Sequence, residues 1–238
     1  MYRIYLSIHL MILLLFVIAI SSNAQSTESD NVNSSLKQEL LEIQEKDQLY
    51  RGNLNAILSN PKSLDSLSKA WDVPKSQMGG AIWQKQQQLD KENLTRVTEI
   101  LRKQGYPGIS KVGENTSTAA FYVLQHAPKD TMEQYFHYIE EAAAEDELAE
   151  QYQAMMYDRI EMYNNRPQRY GTQSRGFRLD NGERMQVIWP IENPKLVNEL
   201  RREAGFDLTV EQNAKRLGIT YKVYTIEELE EITGENLQ

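Results

Sequence analysis

The sequence predicts a mainly α protein: an antiparallel or orthogonal helical bundle with a small C-terminal β-hairpin, a minor α+β element. Three observations predict it. Between residues 36 and 163 apolar residues recur at spacings of three and four, the period of a helix with one buried face. After Pro167 that period breaks, and alternation sets in around Asp180-Asn181-Gly182-Glu183, where Asn-Gly is a strong hairpin signal. The chain has no cysteine, so neither disulfides nor thiolate metal sites can substitute for a packed core.

At the start, Arg3 supplies one positive charge, residues 10–20 are apolar throughout, and Ser22 and Ala24 place small residues before a cut. Residues 1–24 read as a secretory signal peptide cleaved after Ala24. As a membrane anchor the run is short, since spanning the hydrocarbon takes about 20 apolar residues. No second stretch is long enough, so no membrane span is expected after signal cleavage. No cysteine follows the cut to carry a lipid. The expectation is export, to the periplasm or out of the cell.

Loss of Arg3 with the signal takes the net charge from −8 to −9, which argues against nucleic acid as a partner. Residues 25–35 are polar and acidic and read as a disordered leader. Residues 36–207 read as one helical domain with the hairpin near 171–190, and 208–238 as a tail.

Within the domain, the first helix covers 36–58, with Leu36, Leu40, Ile43, Tyr50, Leu54 and Ile57 on one stripe. Asp47 occupies the position that stripe is missing. Asn60-Pro61 ends the helix, and a polar linker leads to Pro74. A second helix covers about 75–104, its start weakened by Gly79-Gly80 and its end marked by Gly105. Trp83, Leu94, Val97 and Leu101 form its stripe, and Asp90 falls on it. A carboxylate in an apolar seam sits at a boundary or is paired, and Arg51 or Arg159 is the expected partner.

Gly105-Tyr106-Pro107-Gly108 makes a turn, and residues 116–126 form a short helix that is apolar nearly all round, hence buried. Helices at 130–144 and 147–163 follow, the second with Leu148, Tyr152, Met155, Ile160 and Tyr163 inward. Met185, Val187 and Trp189 mark the second arm of the hairpin. A helix at 194–204 stops at Gly205. In the tail, Thr209…Gln212 and Thr225…Glu228 have capping-box spacing, and Ile219, Tyr221 and Val223 alternate as a short strand.

Chemistry-capable residues concentrate in three segments: Gln125-His126, Asp158-Arg159 and the run 168–173. His126 ends the buried helix, whereas His137 lies on a polar face, so His126 is the candidate for acid–base work. A helix-end histidine bonded to a carbonyl has the same pattern. Asp158 borders the inward face of its helix, where an aspartate can orient a histidine or join an internal ion pair. Arg159 beside it can clamp a carboxylate or phosphate. Gln168, Tyr170, Thr172 and Gln173, with Gly171 among them, suit a hydroxyl- or amide-rich ligand, and equally suit satisfaction of buried backbone at a chain crossover. There is no glycine-rich phosphate loop, nucleophile elbow or histidine pair at metal spacing. A carboxylate-rich metal site from Asp47, Asp90, Asp158 and His126 is not demanded by any spacing, so no metal and no cofactor is expected.

The ordered set Gly105-Tyr106-Pro107-Gly108, Gln125-His126-Ala127, Asp158-Arg159, Gln168-Arg169-Tyr170-Gly171-Thr172-Gln173 and Leu200-Arg201-Arg202-Glu203-Ala204-Gly205-Phe206 resembles the bacterial family called domain of unknown function 6624. The resemblance covers roughly residues 40–207, with Tyr106 where many members have tryptophan, and with the signal it implies an envelope or secreted protein. It carries no activity with it.

Three functional readings follow. The first is a non-catalytic envelope binding or interaction domain, whose polar site takes a small molecule, a glycan or an envelope protein. Gln125, Arg159, Gln168, Tyr170, Thr172 and Gln173 are its ligand-binding candidates. The second is a hydrolase or transferase with His126 as general base and Asp158 as its orienter. The third is a motif set that only locks the helices to the hairpin.

Overall fold

A computed structural model describes residues 33–237, without the side chains of Asn53 and residues 55–59. The expected signal peptide, the leader up to residue 32 and the side chain of Ile57 lie outside the described residues. The chain is mainly helical with one two-stranded antiparallel hairpin, as the periodicity predicts.

Helix α1 spans Ser34–Ser59. It begins inside the expected leader because the Asn33 side chain accepts the Leu36 N–H at 3.0 Å. The polar linker expected after Asn60 is instead a helix, α2, Pro61–Trp71. Asn60 is extended and its side chain accepts from Lys62 N at 3.0 Å, with Pro61 at the first helical position, so one Asn-Pro pair ends α1 and starts α2. A 3₁₀ turn at Lys75–Gln77 leads into α3, Met78–Gln104, so Gly79 and Gly80 sit in the first turn without breaking it. Gly105 closes α3 at φ 73°, its N–H bonded to the Leu101 carbonyl.

α1 and α3 run antiparallel. Their cross-links pair Glu39 with Arg96, Ile43 with Asn93, and Arg51 with Asp90, so numbers fall along one helix as they rise along the other. Short helices α4 (Ile109–Val112) and α5 (Glu114–Ser117) lead to α6, Ala119–Gln125. Ala119, Ala120, Phe121 and Leu124 of α6 are fully buried, and α6 packs on α1, α3 and the next two helices. The Tyr106 hydroxyl donates to the Ser117 carbonyl at 2.7 Å, which holds the entry to α6.

α7 (Lys129–Ala144) and α8 (Glu150–Tyr163) are also antiparallel, since Asn164 after α8 meets Lys129 and Glu133 at the start of α7. Two stripe residues are not covered as expected. Trp83 of α3 is 51 % exposed and Tyr163 of α8 is 47 % exposed, because both face an open cleft and not another element.

Strands β1 (Ser174–Arg178) and β2 (Arg184–Ile188) pair from Ser174 with Ile188 to Arg178 with Arg184. The hairpin forms where Asn-Gly predicts it, but its turn is longer than the two-residue one: Gly182 is at φ 85° while Asn181 is not left-handed, and the Gly182 N–H bonds the Leu179 carbonyl. α9 (Val197–Glu203), α10 (Val210–Arg216) and α11 (Ile226–Thr233) follow, and both expected capping boxes are formed, at Thr209 and Thr225. The strand expected near Ile219, Tyr221 and Val223 is not formed. The segment has no strand beside it to pair with, and Val223 is exposed. The tail packs on the hairpin: Ile226, Leu229 and Leu237 bury Phe177, Val187 and Trp189. Among the described residues no helix is long and apolar enough to cross a membrane.

Candidate functional site

The sequence-selected residues fall into two regions. One is a cleft of about 520 Å³ at the junction of α1, α3, the end of α6 and the start of α7. Its wall is largely apolar, built by Trp83, Leu94, Val123, Ala127, Pro128 and Tyr163. Asp47, Asp90 and His126 put polar atoms into it, and Lys91 and Lys129 also line it.

Asp47 and Asp90 reach the cleft from α1 and α3 because each replaces an apolar residue in its helix seam. Arg51 is the partner that such carboxylates require. Its Nη2 lies 2.9 Å from Asp90 Oδ1 and 3.3 Å from Asp47 Oδ1. Gln48 donates to Asp47 Oδ2 at 2.7 Å and Gln86 to Asp90 Oδ1 at 2.7 Å. Arg51 Nε and Gln86 Oε1 are buried here without a hydrogen-bond partner among the described residues. Burial pushes the Asp47 carboxyl above its usual range, against the pull of Arg51.

His126 follows the last turn of α6 with its side chain 27 % exposed. Its Nε2 stands 3.9 Å from Asp47 Oδ2, too long for a direct hydrogen bond and within reach of a third polar atom that contacts both. Burial, then the charges of Arg51 and Arg159, push its pKa down to about 4. At neutral pH the ring is therefore neutral: one nitrogen donates and the other accepts.

The second region is the crossover from α8 to the hairpin, and its centre is Asp158. This side chain is fully buried. Its oxygens accept the N–H groups of Arg169, Tyr170 and Thr172 at 2.8 to 3.2 Å and the Thr172 hydroxyl at 2.9 Å. Gly171, at φ 66°, makes this wrap possible, and a Cβ there would meet Val210 Cγ2 at 2.7 Å. Burial raises the Asp158 pKa while these donors pull it down, with the net direction up.

The remaining motif residues complete the crossover. The Gln168 side chain donates to the carbonyls of Gln173 and Trp189 at 3.0 and 2.7 Å and accepts the Gln173 N–H at 2.8 Å. Arg159 donates to the Gln125 carbonyl at 2.9 Å and to Gln173 Oε1 at 3.1 Å, which ties α8 to the end of α6. The Tyr170 ring is buried edge-on against Tyr157.

Asp158 and His126 are thus not brought together. Asp158 is bonded to backbone amides and Thr172, and the carboxylate within 4 Å of His126 is Asp47. Arg159 meets neutral acceptors where an ion pair was one expectation. Sequence reasoning missed Gln86 and Asn93 of the polar seam and gave Trp83 and Tyr163 to the core. The seam had a signal: Gln86, Asp90, Asn93 and Val97 share one helical stripe. Among the described residues no three His, Asp or Glu side chains gather as a metal-holding group.

No curated protein and no solved structure matches the chain. A family model does, the one described as a family of unknown function, DUF6624, and its match runs over residues 34–223. That span holds the cleft and the crossover alike, and the chain belongs to this family.

Proposed function

We propose that the chain is an exported envelope protein whose helical domain binds, without chemical turnover, a small hydroxyl- or amide-bearing ligand such as a glycan fragment. The observation that carries this reading is the cleft itself. An apolar and aromatic wall that meets a few converging polar groups is the usual make-up of a small-molecule site, and about 520 Å³ suits a disaccharide-sized ligand. A sugar ring offers an apolar C–H face to Trp83 or Tyr163. Its hydroxyls can donate to Asp47 and Asp90, and an amide can both accept from and donate to neutral His126.

The electrostatics favour binding over catalysis. A general base works best with a pKa near the operating pH, and a histidine held near 4 is a weak base at neutrality. The hydrolase or transferase reading would need Asp47, not Asp158, to orient His126. The crossover supports the structural reading for its own residues, since Asp158 and Gln168 spend their hydrogen bonds mainly on backbone and Gln173 bonds Arg159, Thr172 and the Met155 carbonyl.

Isothermal titration of the protein with chitobiose, maltose and short peptides, beside His126→Ala, tests the proposal. Saturable binding by at least one, weakened in the variant, is the expected result. Hydrolysis of a probe, or no binding across the panel, would overturn it.

A further inference from the structure

A second cavity, of about 330 Å³, shares no lining residue with the cleft. It opens between α8, the crossover and the α9–α10 region. Tyr122, Tyr152 and Phe206 give it an aromatic wall, and Arg201 and Arg216 line it as cations. Asp207 is the one carboxylate on its lining.

Arg201 is the unusual member. It is 3 % exposed, yet no Asp or Glu lies within 4 Å of it among the described residues. Buried charges are normally paired, because an uncompensated one is costly. Arg201 Nε donates to the Leu208 carbonyl at 2.7 Å and Nη1 to the Tyr170 carbonyl at 2.9 Å. Its guanidinium lies 4.6 Å from the centre of the Phe206 ring. These contacts fix the fork and leave Nη2 without a protein acceptor among the described residues, in a side chain that lines the cavity. Arg216 beside it bonds only a neutral group, Asn213 Oδ1, at 2.8 Å. Asp158 and Glu211 attract Arg201 only from beyond contact: the Asp158 oxygens are filled by the crossover amides and the Thr172 hydroxyl, and Glu211 accepts from Asn198.

We infer that this second cavity binds a small molecule carrying an oxyanion, a carboxylate or phosphate, on an aromatic or apolar body. Arg201, through its uncommitted Nη2, and Arg216 hold the oxyanion with charge-assisted N–H bonds, one from each guanidinium. The aromatic wall takes the body, and Asp207 opposes a second negative charge at the lining.

The test is a titration, followed by calorimetry, of the purified protein with benzoate, phenyl phosphate and uncharged benzyl alcohol. At least one oxyanion probe binds saturably, and benzyl alcohol binds about tenfold more weakly or not at all. Arg216→Gln, an exposed substitution that leaves the Arg201 contacts in place, weakens that probe about fivefold or more. Asp207→Asn strengthens it, and His126→Ala in the separate cleft leaves it unchanged. A preference for benzoate identifies the carboxylate, and a preference for phenyl phosphate identifies the phosphate. Failure of both oxyanion probes to saturate, equal binding of benzyl alcohol, or indifference to both Arg216→Gln and Asp207→Asn overturns the inference.

Discussion

The crossover and the cleft use polar residues in opposite ways. At the crossover, one buried carboxylate collects three backbone N–H groups and a hydroxyl, and a glutamine closes the next loop on both edges. In the cleft, two carboxylates share one arginine, a neutral histidine stands just beyond bonding distance, and two buried polar atoms, Arg51 Nε and Gln86 Oε1, have no partner among the described residues. The Asp158 wrap is satisfied throughout, as in a structural network, while slack beside an open volume marks a site that something else completes; a further buried atom without a partner among the described residues, Gln125 Oε1, lies between the two regions.

The largest expected break in this comparison is at Asp158. Removing its carboxylate orphans the buried Tyr170 amide and the part-buried amides of Arg169 and Thr172 at once, so Asp158→Ala lowers stability by about 3–5 kcal/mol in urea unfolding. A loss below about 1 kcal/mol would mean that the crossover is not the clamp described here. Gly171→Ala comes next. Its positive φ and the 2.7 Å approach of a Cβ to Val210 predict a loss of about 2–3 kcal/mol by the same measurement.

The cleft answers to pH. His126 is held near 4 in the fold against an ordinary value near 6.5, so between these values the unfolded chain takes a proton that the folded chain refuses. Its contribution is present above about pH 6.5 and is lost as pH falls toward 4. The raised Asp47 pKa acts in the opposite sense: it favours the fold at low pH, and that gain is lost as pH rises from the ordinary carboxylate value through the folded one. The difference between the protein and His126→Asn therefore isolates the histidine, and parallel pH–stability curves would contradict its burial.

The helices were legible because a buried face repeats every three or four residues, and both tail helices were legible from their capping boxes at Thr209 and Thr225. α2 was missed although Leu64, Leu67 and Trp71 have helical spacing, because Asn60-Pro61 reads equally as a stop and as a start. The alternation at Ile219, Tyr221 and Val223 promised a strand, but a strand needs a neighbour, which local pattern does not supply. Periodicity also placed Trp83 and Tyr163 on the inward face without saying whether anything covers it. The Asp47–Arg51–Asp90 cluster was legible as polar residues in two apolar seams. The role of Asp158 was not, because its partners are backbone amides and every residue type but proline carries one.

The smallest expected stability effect is at Trp83. Its side chain is half exposed, so Trp83→Ala changes stability by about 0.5 kcal/mol or less while it removes part of the cleft wall. Such a variant separates binding from folding, as no crossover variant can.

The most direct test of the division between the two regions is a map of backbone amide chemical shifts during titration with chitobiose, maltose and the short peptides in turn. The cleft assignment predicts saturable shifts centred on Asp47, residues 83–94 and residues 123–129, with 168–173 unmoved. Shifts centred on 168–173, or no saturable shift in the cleft, would contradict it.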